Sequence, residues 1–87
     1  MAKKYLTLNQ IGKYEPEMKR QKVSTVARSQ RGFLTAYKRA GNRNNLPENW
    51  QRKRAAFIAR HGTQYDKNPT PRRRLALIAW AYDPEKD

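Results

Sequence analysis

The chain has no cysteine among its 87 residues. Disulfides, thiol nucleophiles and cysteine-bound zinc or iron–sulfur centres are therefore excluded. It has a single histidine, His61, and only seven acidic residues. A general base needs an orienting partner and a pocket. No serine or acid is tied to His61 by spacing, so its expected roles are packing beside Phe57 or capping carbonyls at a helix end. Glu15 and Glu17 only flank Pro16. There is no phosphate-cradling glycine loop and no dinucleotide fingerprint. The expectation is a protein that is not an enzyme and holds no cofactor or metal. Long apolar runs are missing too. None approaches the roughly 20 residues of a membrane span, and Lys3 and Lys4 have no apolar stretch behind them to make a secretory signal. These absences point to a cytoplasmic protein.

What the chain has in quantity is positive charge. Lysine and arginine number 20 against seven acids, a formal net charge of +13. The excess runs through residues 1–82, and only the stretch 83–87 is acidic. A field this one-sided attracts polyanions. Nucleic acid is the leading expected partner, an acidic protein surface the alternative. An anionic membrane ranks lower, because no basic helix carries a large exposed apolar face. A charge that serves only solubility is the third reading.

Eighty-seven residues make one domain, and a domain this small buries only about 60% of its unfolded surface. Apolar residues are 37% of the chain and mean hydropathy is −1.17, so the core must be thin. The apolar residues recur at helical spacing. They predict an all-α fold, a small bundle of three main helices over 24–83, with a poorly ordered or short-helical arm over 1–23 and an acidic tail over 84–87. In the arm, a short turn starts at Thr7 and stops at Gly12, Glu15-Pro16-Glu17 breaks the direction, and Met18–Lys22 is exposed. The first main helix starts from Ser24 or Ser29 and ends at Gly41, with Val26, Phe33, Ala36, Tyr37 and Ala40 inward. The second runs from Pro47 to about His61, closed by Gly62. Its Arg54 falls within the apolar arc of Trp50 and Phe57, so either its stem lies along the core while its guanidinium reaches out, or the first turn projects past the core. The third, TPRRRLALIAWAY, starts at Thr70 or Pro71 and runs to about Tyr82.

Three basic clusters are candidate phosphate contacts. Arg28, Arg31, Lys38 and Arg39 are expected on the outer face of the first helix. Arg52, Lys53 and Arg54 lie near an asparagine-rich turn that holds Arg43. Arg72, Arg73 and Arg74 crowd the first turn of the last helix, where cations are disfavoured. A bound anion would relieve that crowding, as would pairing with Asp66. On the last helix, Leu77 and Trp80 fall opposite the Leu75–Ile78–Tyr82 face. They mark either the second apolar side of a central helix or a surface for a protein partner or a second copy.

Overall fold

The computed structural model describes residues 5–23 and 28–85. Those residues are mostly helical and contain no strand. They form α1 (Leu8–Gly12), α2 (Glu15–Gln21), α3 (Phe33–Ala40), α4 (Glu48–Lys67) and α5 (Pro71–Ile78), with a 3-10 turn over Arg43–Asn45. The all-α expectation holds. The three-helix count does not, because the stretch expected to be an arm contributes two helices. Leu6, Ile11, Met18 and Val23 belong to the same buried cluster as Phe33, Leu34, Tyr37, Leu46, Leu75 and Ile78.

Local chemistry explains most boundaries. Thr7 opens α1 with a capping box: its hydroxyl accepts from Gln10 N, and Gln10 Oε1 accepts from Thr7 N. Glu15-Pro16-Glu17 does not break the chain but starts α2, with proline and two acids in the first turn, where each is favoured. α2 ends at Lys22, which is left-handed at φ 56°. Val23 N donates to Met18 O and Lys22 N to Lys19 O, the bond pair of a Schellman turn. That turn buries Val23, and Met18 has no exposed surface, against the expectation that Met18–Lys22 is exposed.

α3 begins late, at Phe33, with Gly32 as its N-cap. The Ser24 start lies outside the described residues. Ser29 does not cap the helix either; its carbonyl accepts from Gly32 N and from the Thr35 hydroxyl. Arg28 and Arg31 therefore sit in the turn before α3 rather than on its outer face.

α4 runs past Gly62 to Lys67. A glycine costs a helix only about 1 kcal/mol, and the extra turns bring Tyr65 against the cluster of Ile58, Leu77 and Tyr82. Asn68 and Pro69 stop it. α5 is capped by Thr70, whose hydroxyl accepts from Arg73 N at 3.1 Å. It stops early, at Ile78. Ala81 is left-handed at φ 63°. Tyr82 N donates to Leu77 O and Ala81 N to Ile78 O, a second Schellman turn, here with alanine where glycine is usual.

Arg54 departs from both of its sequence expectations: it is 2% exposed and sits in the interior. Its Nε donates to the Trp80 carbonyl and its Nη2 to the Ala81 carbonyl, both at 2.8 Å. The guanidinium lies 3.7 Å over the Tyr5 ring. The Ala81 carbonyl also accepts from Leu6 N, so one helix end ties the N-terminal segment, α4 and α5 together.

Arg54→Ala is expected to lower stability by about 3–6 kcal/mol, since it loses two hydrogen bonds from a charged donor at about 1.5–3 kcal/mol each. Urea unfolding would show a lower midpoint at unchanged slope; an unmoved midpoint would remove Arg54 from this role. Lys22→Gly is expected to raise stability by about 0.5 kcal/mol. It relieves a left-handed non-glycine residue worth about 1–2 kcal/mol, less the entropy glycine adds to the unfolded chain. A midpoint that falls would contradict this.

Candidate nucleic-acid interface

The structure divides the predicted cations into those held by the fold and those facing outward. The arginine triplet belongs largely to the first group. Arg72 Nη1 donates to the Gln21 carbonyl at 2.6 Å, at the C-terminal end of α2. Arg73 Nη1 donates to the Asn68 carbonyl at 2.8 Å, just past α4. Arg74 forms a two-pronged pair with Asp83, Nε to Oδ1 at 3.1 Å and Nη2 to Oδ2 at 2.9 Å, and meets Glu85 at 3.1 Å. Hydrogen bonding to Asp83 holds the Arg74 guanidinium protonated well above its already high range. The crowding at the start of α5 is thus relieved by carbonyls and carboxylates of the chain itself, and by Asp83 and Glu85 rather than Asp66. The acidic tail accordingly starts as structure: Asp83 is buried and accepts from Glu85 N.

Leu77 and Trp80 both serve the interior, Leu77 wholly and Trp80 in part. Leu77 has no exposed area. Trp80 stacks on Phe33 at 4.9 Å and on Phe57 at 4.5 Å between ring centroids. Two apolar sides on this segment are what packing between α3 and α4 requires. His61 stacks on Phe57 at 4.0 Å, the packing role expected of it.

The other two clusters diverge. Arg28 Nε donates to Val23 O at 3.2 Å, and Lys38 pairs with Glu15 at 2.7 Å. Arg31 and Arg39 are exposed. Arg39 ends α3, and Arg52 and Lys53 stand exposed in the opening turns of α4. Between them the 3-10 turn, capped by Asn42 through Asn45 N, presents Arg43 and Asn44. These elements make one corner. Beside it runs an open groove of about 740 Å³ along α4, lined by Tyr5, Arg43, Asn44, Gln51 and Arg52 at the corner end and reaching Thr63, Asp66 and Tyr82 beyond. Glu48 is the acid at the corner end. Arg43 lies 5.5 Å over Tyr5 and Lys53 4.8 Å over Trp50, so ring faces help hold two of the four cations. Sequence reasoning set Arg43 beside the Arg52 and Lys53 cluster and singled out neither it nor Tyr5 as a phosphate contact. The capping asparagine of a short turn was the available signal for Arg43; nothing local marks Tyr5, which reaches the groove through Arg54.

Comparison with protein-family models, curated proteins and solved structures returns no match. Function is read from this geometry.

One titration checks the His61 environment. Burial, and then neighbouring Arg60, push its pKa below the ordinary histidine value. The unfolded chain then binds more protons in the window just below about 6.5, so stability rises with pH across that window and falls on acidification. Proton NMR of the imidazole is expected to give a midpoint below 6.5 that moves up in Phe57→Ala; a midpoint at or above 6.5 in the parent would refute the stacked, part-buried setting.

Proposed function

We propose that this chain is a non-enzymatic nucleic-acid-binding protein that acts mainly through phosphate contacts. The observation that supports the reading is the outward exposure of Arg39, Arg43, Arg52 and Lys53 on α3, the 3-10 turn and α4, with Arg43 and Arg52 lining one groove. Arg31 adds exposed charge before α3. Phosphates of a backbone are spaced so that several cations on neighbouring turns can each meet one. Asn44 and Gln51 add amide groups on the groove beside them. A charge that served only solubility would not need to concentrate there. The alternative, a module docking on an acidic protein, is weakened by the burial of Leu77, while Trp80 keeps part of its surface exposed.

Fluorescence anisotropy with labelled duplex DNA, single-stranded DNA and structured RNA tests the reading. Affinity is expected to fall steeply as salt rises. Arg43→Ala with Arg52→Ala should weaken binding and reduce the salt slope by about 2, one unit for each lost phosphate contact. Arg73→Ala should change affinity less than either, because Arg73 is held by Asn68. No binding to any ligand at about 150 mM salt, near physiological ionic strength, would sink the proposal. An acidic protein partner would then become the reading to pursue.

A further inference from the structure

A second basic feature lies between α2, the turn before α3 and α3 itself. Lys19 of α2, Arg28 of the turn before α3, and Thr35 and Lys38 of α3 line a small pocket of about 200 Å³ together with Glu15 and Leu34. Three separate elements thus aim charge at one concavity. The pocket holds three cations and one carboxylate, a formal surplus of two positive charges. Its volume is several times the ~30 Å³ share of one water molecule, enough for a phosphate group with part of its hydration. The Thr35 hydroxyl proton is committed to the Ser29 carbonyl at 2.6 Å, and Arg28 Nε to Val23 O. Recognition would therefore fall to the two ammonium groups and the outer edge of the guanidinium. Glu15 holds Lys38 at 2.7 Å, which fixes one cation at the site and sets an acid beside it.

We propose that this pocket binds the terminal phosphate monoester of a nucleic-acid strand. The inference rests on the nucleic-acid reading above and assigns a distinct contact within it. Charge decides between a strand end and a passing backbone. A phosphodiester carries one negative charge, whereas a phosphate monoester carries about −1.5 to −2 at pH 7, with a second pKa near 6. The dianion matches the pocket's surplus, and only an end can enter a small concavity. Lys19, which no sequence cluster included, becomes a contact alongside Arg28 and Lys38.

The experiment compares single-stranded oligonucleotides, as DNA and as RNA, that differ only in carrying a hydroxyl or a phosphate at one end, 5′ or 3′. Anisotropy at about 150 mM salt is expected to show about fivefold or tighter binding for the phosphorylated form, in line with one to three new charge-assisted hydrogen bonds. The preference should shrink as pH falls from 7 to 5 and the monoester gains a proton. Lys19→Ala with Lys38→Ala should abolish it, and both are surface residues whose loss costs the fold little. Glu15→Gln should increase it. Arg43→Ala with Arg52→Ala should weaken both oligonucleotides alike and leave their ratio intact. Equal affinity for the two ends, with binding measurable, overturns this inference and leaves the nucleic-acid reading standing. A preference that survives in the Lys19, Lys38 double variant overturns the location. Absence of binding to every oligonucleotide overturns both readings.

Discussion

The fold depends on a guanidinium removed from water. Moving an unpaired charge into an interior costs several kcal/mol even after relaxation, and burial pushes the Arg54 pKa down, partly offset by the phenol groups of Tyr5 and Tyr37. What makes the position tolerable is the end of α5. Helix C-termini leave carbonyls without intrahelical donors and carry a partial negative charge of about half an electron. Arg54 meets the Trp80 and Ala81 carbonyls in the turn just past that end, and the Tyr5 ring face covers its other side. The left-handed turn at Ala81 belongs to the same arrangement, because it turns the carbonyls of Trp80 and Ala81 toward α4. Tyr37, whose hydroxyl donates to Leu6 O at 2.7 Å, locks the N-terminal segment from the α3 side.

The same device recurs on a smaller scale. Arg72 meets the last carbonyls of α2 and Arg73 the carbonyl after α4. Asn45 Nδ2 donates to Ala40 O at the end of α3. Short helices have many unsatisfied ends relative to their length, and a chain of mostly short helices needs many donors to close them. Part of the surplus of arginine is explained by that need before any ligand is invoked. Net charge alone therefore overstates the binding surface, and sorting the cations by what they touch changes which of them are candidates.

Helical periodicity made the all-α class legible, and the caps at Thr7 and Thr70 were legible because their partners lie within the next turn. The ends of α4 and α5 were not. Gly62 reads as a stop only until Tyr65 is known to pack on Tyr82, a contact between residues far apart in the chain. Ala81 has no glycine to announce its left-handed turn. The second helix of the N-terminal segment was hidden by Glu15-Pro16-Glu17, which reads as a break and serves as a start. In the candidate site, Arg52 and Lys53 were identifiable as outward from spacing. The arginine triplet misled, because its partners Gln21, Lys22 and Asp83 come together with it only through packing. Leu77 and Trp80 misled for a related reason: an apolar second face does not say whether protein or solvent lies over it.

The corner and the small pocket share α3. Salt screens exposed charges beyond about 8 Å at physiological ionic strength, while the molecule extends 33 × 31 × 20 Å. Cations on distant faces therefore do not add their pull on a ligand held close to one surface, and local clustering decides where a polyanion rests. α3 has eight residues, which at 1.5 Å per residue spans about 12 Å. Lys38 faces α2 at the pocket, while Arg39 and then Arg43 lead to the corner. In a stacked strand successive phosphates advance about 3.4 Å, so a few nucleotides cover the length of α3. On the reading proposed above, a continuous duplex would offer backbone to the corner and no terminal phosphate to the pocket, whereas a single strand would offer both.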